Sequence, residues 1–360
     1  MPADRVKQSD YFEKQSMDPI TQGTLGATLP AAVAPRREAG IAAVLGCLGG
    51  MAPDLDVLIR SAEDPLLFLE YHRHFTHALI FIPVGGLICA LVLQGLFSRH
   101  YLPFSRTLMY CTLGYATHAL LDACTTYGTQ LLWPFSDARF AWNTVSVVDP
   151  LFTVPLLTLV VLAALRKRPR FAVAGLVWAI SYLAVGLVQR DRAVEVGYEV
   201  AAARGHTPLR LEAKPSFGNI VVWKVVYETD QSYYVDAVRA GLSSTIYRGE
   251  QVAKLDVARD FPWLDPESQQ ARDIERFRWF SNDYLARDPL HPNRIIDVRY
   301  SMIPNQVNAL WSIELTPSAT AADHVAYTTD RDASGGRAGI LWGMVSGRSA
   351  SGGQTVLGGG

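Results

Sequence analysis

The stretch Tyr71-His72-Arg73-His74-Phe75-Thr76-His77 runs straight into residues 78–97, an apolar segment without a charged side chain. That segment is about as long as the ~20 residues a helix needs to cross a bilayer. Three histidines and an arginine at such an entrance are costly unless they stay hydrated, pair or hold a metal. Two further groups match them in chemistry: Asp54-Leu55-Asp56 just upstream, and His118-Ala119-Leu120-Leu121-Asp122 downstream. The reading that follows is a helical membrane bundle with a metal site at one of its faces.

Working outward, residues 171–188 form a second strong apolar run, and residues 151–165 a shorter one. Residues 107–123 are apolar but end on His118 and Asp122. Residues 20–34 and 41–52 are rich in Gly and Ala and flank Pro35-Arg36-Arg37-Glu38. Small residues let membrane helices approach closely, so these two predict a tight hairpin, spanning or partly embedded. The expected bundle has about five to six helices.

The 360 residues are 49% hydrophobic, with a formal net charge of −1. A balanced charge gives no electrostatic footprint for nucleic acid, and none is expected as a partner. Residues 1–16 are polar and lack the apolar core of a signal peptide. From about Gln189 the composition becomes that of an ordinary soluble domain. The expected organisation is a polar extension at 1–16, a membrane-embedded helical metal-site domain at 17–190, a small extracytoplasmic α+β soluble domain at 191–330, and a mobile Gly/Ser-rich tail at 331–360. Strands are predicted near 219–227, 233–238, 294–302 and 312–315, from their β-branched and aromatic content. A polar helix is predicted over 266–286. All four cysteines lie in the apolar half without a CxxC pair and read as small buried hydrophobes. His206, His291 and His324 have no ligand-spaced neighbour and read as surface residues.

Basic residues orient the bundle. Arg36-Arg37, Arg99 with Arg106, and Arg166-Lys167-Arg168 with Arg170 fall in three loops, which the positive-inside rule places in the cytoplasm. Counting crossings then puts Asp54, Asp56, the histidine cluster, His118, Asp122 and Asp149 together on the opposite face. The rule does not require the polar motifs to share a face, so their agreement points to one site. The domain after Val188 falls on that side too.

Each motif has a bland alternative. Asp54 and Asp56 follow Pro53 at a helix end, where solvation and turn formation also favour acids. His118 and Asp122 are one helical turn apart and share a face. They supply two ligands, a ligand with its carboxylate partner, or a buried bond tying helices. Thr76 is read as a helix cap, and Arg73 as a group for a bound phosphate or a developing negative charge. Imidazole and carboxylate without sulfur suit zinc, iron or manganese.

In this order, Met17-Asp18-Pro19-Ile20-Thr21-Gln22-Gly23, Ala52-Pro53-Asp54-Leu55-Asp56, His72-Arg73 with Phe75-Thr76-His77, and His118-x-x-x-Asp122 before Thr125-Thr126-Tyr127-Gly128 resemble the YdjM-like family. Its members are bacterial inner-membrane proteins described as membrane-bound metal-dependent hydrolases. A more distant likeness is to zinc-dependent phospholipase C and P1 nuclease, which favours phosphoester cleavage. Gln22 stands where many relatives have His, and His74 where Gly is common. The resemblance implies one or two divalent ions, with zinc preferred, held by Asp54, His72, His77, His118 and Asp122. Such an ion lowers the pKa of a bound water and polarises the scissile bond. Asp56 or Asp149 is the expected general base. The expected substrate is a lipid or an envelope ester or phosphoester, met at the periplasmic side of the inner membrane. The competing expectation is a non-enzymatic metal-binding sensor, transporter or envelope assembly protein.

Overall fold

A computed structural model describes residues 18–241, 243–330, 336–348 and 354–357. The polar extension at 1–16 lies outside them. The chain divides into two compact units, one holding residues up to Ile59 together with Tyr71–Leu187, the other Arg60–Glu70 together with residues from Val188 onward.

The first unit is helical: α1 (Pro19–Val33), α2 (Ala39–Met51), α3 (Ile82–Leu96), α4 (Phe104–Cys124), α5 (Pro150–Arg166) and α6 (Arg170–Ala203), the last continuing into the second unit. Asp18 starts α1 by accepting from the Ile20 amide at 3.0 Å, with Pro19 at the first helical position, where its missing N–H costs nothing. Asp149 starts α5 in the same way. The small residues of α1, α2 and α4 let the backbones touch. A Cβ at Gly114 would strike the Gly46 carbonyl, and one at Gly50 would sit 2.9 Å from the Gly26 Cα. This contact fixes the relative depth of α2 and α4, and so of the polar residues at their ends.

Among the described residues, three segments are long and apolar enough to cross a membrane: Ala39–Leu58, Leu79–Leu96 and Arg170–Ala203. Only 17% of the Leu79–Leu96 stretch is buried inside the protein. An uncharged helix with that much outward apolar surface is matched to lipid, not water. Helix α5 is apolar but shorter. The stretches at 20–34 and 107–123 become α1 and α4, which are not among the three.

The second unit contains two antiparallel sheets. The strands are β1 (Arg210–Pro215), β2 (Val222–Glu228), β3 (Ser232–Arg239), β4 (Ser244–Tyr247), β5 (Gln251–Ala253), β6 (Leu285–Arg287), β7 (Arg294–Asp297), β8 (Trp311–Glu314), β9 (Ala326–Thr329) and β10 (Gln354–Leu357). One sheet runs β1-β2-β3-β4-β10 with β5 on β3, and the other runs β6-β7-β8-β9. Val226, Tyr233 and Val235 of the first sheet share a core with Ala286 and Ile296 of the second.

Two expectations are corrected here. The helix expected over 266–286 is α7 (Gln269–Phe280). Asn282 and Asp283 take left-handed φ of 50° and 58°, which ends it and turns the chain into β6. The tail expected to be mobile carries a helix, α8 (Arg337–Ser346), and β10, which pairs with β4. Glycine-rich composition hid the uncharged run between Arg337 and Arg348 that forms α8. The rest of the tail lies outside the described residues.

Candidate metal centre

Four side chains from three chain segments meet in the first unit. Asp54 lies in a 3-10 turn, Ala52–Leu58, that Pro53 opens at the end of α2. His77 closes the 3-10 turn Phe75–His77 ahead of α3. His118 and Asp122 lie on the last turns of α4. Each offers one ligand atom, and all four atoms lie within 4.8 Å of one another. The Nε2 atoms of His77 and His118 face each other at 2.9 Å. Asp122 Oδ2 is 3.2 Å from His77 Nε2, and Asp54 Oδ1 is 3.3 Å from His118 Nε2. His77, His118 and Asp122 are fully buried, whereas the Asp54 side chain is 15% exposed and opens the group to its surroundings.

The outer hydrogen bonds determine what the inner atoms can do. His118 Nδ1 donates to the Gly50 carbonyl at 2.5 Å, which leaves Nε2 of the neutral ring as a bare lone pair. Thr76 Oγ1 donates to Asp56 Oδ2 at 2.9 Å and so accepts from His77 Nδ1 at 2.9 Å, with the same result for His77. Asp54 Oδ1 and Asp122 Oδ2 accept no hydrogen bond. Four potential ligand atoms therefore converge on one buried point, with the Arg73 guanidinium reaching Asp122 Oδ2 from one side. Buried polar atoms are normally satisfied, and a divalent cation satisfies all four at once. Two imidazole nitrogens and two carboxylate oxygens are a donor set that zinc accepts.

Without a cation, a proton takes that role. Burial alone would lower the His77 pKa, but the Asp122, Asp54 and Asp56 carboxylates reverse this and raise it well above the ordinary histidine value.

A supporting layer holds the ligands. Asp122 Oδ1 accepts from Gln22 Nε2 at 2.6 Å, and Asp122 Oδ2 lies 3.3 Å from Arg73 Nε. Arg73 is buried, donates to Thr125 Oγ1 at 3.0 Å and lies over the Tyr127 ring. Its backbone is left-handed at φ 63°, which costs about 1–2 kcal/mol in a non-glycine residue. Asp56 holds the strained turn, with Oδ2 accepting from Arg73 N at 3.0 Å and Oδ1 facing His72 Nδ1 at 2.8 Å.

The expected site residues divide accordingly. Asp54, His77, His118 and Asp122 form the tight group. His72 joins Asp54 and Asp56 in a second, more open group. Both Asp56 oxygens are already engaged, so Asp56 orients His72, Thr76 and His77 and is not poised as a base. Arg73 faces Asp122 from a buried position. Asp149 joins neither group: its Oδ1 caps α5 at Leu151 and Phe152, and its Oδ2 accepts from Tyr182 at 2.8 Å. Thr76 is not a helix cap, because the turn Leu79–Phe81 has no side-chain cap. His74 packs against Trp133, ring centroids 5.3 Å apart, outside the metal group. Sequence reasoning did not find the Gly50 carbonyl. Its signal lay in the glycines of α2, which bring that backbone against α4.

The class defined by this geometry is a polytopic membrane protein with a His/Asp metal-type cluster at the ends of its helices. Residues 17–193 match the sequence model of the YdjM inner membrane protein family. Over 106 residues the chain is 34% identical to the inner membrane protein YbcI of Escherichia coli K12, covering 28% of this chain and 60% of that protein. Over 188 residues it is 21% identical to YfhP of Bacillus subtilis 168, described as an uncharacterized protein, covering 52% of this chain and 55% of that one. The matches thus span less than two thirds of either relative. No solved structure matches.

Proposed function

We propose that this inner-membrane protein is a metal-dependent hydrolase that cleaves an ester or phosphoester of a lipid or envelope molecule. The observation that carries this reading is the convergence of one ligand atom each from His77, His118, Asp54 and Asp122 within 4.8 Å of one another. A divalent ion bound there, zinc by the donor set, supplies Lewis-acid polarisation of the scissile bond and of water. The protein's own groups keep the ligands in place. Gly50 and Asp56 fix the imidazole tautomers, and Gln22 and Arg73 hold the Asp122 carboxylate. Asp54, partly exposed, marks the side from which a substrate reaches the group. His72 lies beside it, its Nδ1 held by Asp56 and its side chain 19% exposed, so its other nitrogen is the group available to exchange a proton with substrate. The basic loops at 34–38, 97–103 and 166–170 lie at the helix ends away from the cluster, which by the positive-inside rule favours a periplasmic site. The site's position at the end of membrane helices favours substrates presented at headgroup level. Phosphoesters are included among the proposed substrates on the resemblance of the sequence motifs to zinc-dependent phospholipase C and P1 nuclease alone.

The test is hydrolysis of phosphodiester and glycerolipid substrates by the full chain in lipid nanodiscs, before and after chelation and zinc readdition. Activity should vanish on chelation, return with zinc, and be absent from His118→Gln. Hydrolysis at equal rates by wild type and His118→Gln would contradict the reading. So would a fully metal-loaded wild type without activity on any ester or phosphoester.

A further inference from the structure

Helix α8 has an unusual composition for the β-sheet unit. Residues 338–347, Ala-Gly-Ile-Leu-Trp-Gly-Met-Val-Ser-Gly, carry no charge and are bracketed by Arg337 and Arg348. One face is anchored in the unit. Met344 is buried with Val222, Ala237, Tyr247 and Ile303, and its carbonyl accepts from Tyr247 Oη at 3.1 Å. Val345 packs against the same core, and the opposite side projects outward, with Trp342 66% exposed. An indole that open on an uncharged helix is unfavourable in water and typical of a membrane–water interface.

The hydrogen bonds of the same unit locate this helix. Gln189 is the first residue after the apolar run 171–188 of α6. Its Nε2 donates to the Ala240 carbonyl at 3.0 Å, and Arg192 donates to the Gly241 carbonyl at 3.3 Å. The neighbouring Arg239 donates from Nε to the Val345 carbonyl in α8 at 3.0 Å. The C-terminal end of α8 is therefore joined, through Arg239 and Ala240, to the point where α6 leaves its apolar stretch. Trp342 lies three residues from Val345, about 5 Å along the helix axis. The exposed face of α8 is thus close to the end of a membrane span, with arginines at both helix ends.

We propose that α8 lies on the bilayer surface, its Trp342 side inserted at the level of the lipid headgroups. It ties the β-sheet unit to the membrane from which α6 emerges. Arg348, at the C-terminal end of the helix, is placed for anionic phosphates, as in interfacial helices, while Arg337 pairs with Asp330 at 3.5 Å. The occupant of this face is lipid, and the proposal does not depend on the metal centre or its chemistry.

The test is Trp342 fluorescence in the full chain, isolated as the difference between wild type and Trp342→Phe. The chain is held in phosphatidylethanolamine/phosphatidylglycerol nanodiscs. Lipids brominated near the headgroup should quench more than half of the difference signal, whereas aqueous iodide should hardly affect it. Trp342→Tyr gives the same difference should the Phe variant fail to fold. Quenching by iodide without quenching by brominated lipid would overturn the proposal. Protection from both quenchers would also overturn it, because it would place a protein surface over Trp342.

Discussion

Both units gather histidine and carboxylates around one point, and they neutralise them differently. In the β-sheet unit, Arg276 donates to Asp64 at 2.8 Å, Glu70 at 2.5 Å and Asp273 at 2.9 Å. His324 Nδ1 lies 2.8 Å from Asp273 Oδ2, which also accepts from the Val325 amide. The protein supplies its own cation, and each acid has a donor. In the helical unit the equivalent acids and histidines take most of their donors on their outer atoms. Their inner atoms meet each other, with Arg73 reaching Asp122 from one side. Residue type alone therefore does not mark a metal centre. The distribution of donors differs: a guanidinium serves every acid of one cluster, whereas in the other Arg73 reaches Asp122 alone and the four ligand atoms lie within 4.8 Å of one another.

The largest expected effect comes from removing a bare acceptor. Asp122→Ala should weaken zinc binding more than about 100-fold, measured by chelator competition, because it removes a ligand from a buried set and strands Arg73. Acid should act in the same direction. Zinc must displace the proton that the carboxylates hold on His77, so affinity should fall roughly tenfold per pH unit below the raised His77 value. The loss should begin above the ordinary histidine range, because the shift is upward. Asp56→Asn leaves the four ligands present but loosens the turn that aims His77, and a loss of about 10–100-fold is expected. In the other unit, Arg276→Met should lower stability by about 1–2 kcal/mol in chemical denaturation, reduced by partial exposure of the pair, with zinc affinity unchanged. Asp149→Ala removes a helix cap and should cost about 1 kcal/mol, also without changing zinc affinity. Zinc loss in either of the last two would break the comparison.

The site was legible where local geometry decides it. His118 and Asp122 share a face because a helix has 3.6 residues per turn, and the basic loops placed the acid and histidine motifs on one side. What the sequence did not disclose depends on contacts. Asp54 and Asp56 separate into ligand and support because a 3-10 turn points them apart, and an alternating DxD pattern carries no such information. Gln22 reaches Asp122 across 100 positions. Its amide holds the Asp122 carboxylate through a hydrogen bond. Asp149 reads from the sequence as a candidate general base because a carboxylate ahead of a helix on the shared face fits that role as well as a cap, and here it caps α5. In the β-sheet unit, β1 was hidden by its charged sequence Arg-Leu-Glu-Ala-Lys-Pro. Residues 60–70 join that unit through Arg276, more than 200 positions away, which no local pattern reveals.

The central claim is that the inner acceptors wait for a cation. It is tested most directly by the metal content of detergent-purified protein, equilibrated with zinc, desalted and measured by plasma mass spectrometry. Wild type should retain at least one zinc per chain, and His118→Gln should retain no more than a metal-free control. A wild type that holds no zinc or other divalent metal, or a His118→Gln variant that holds as much as wild type, would contradict the account.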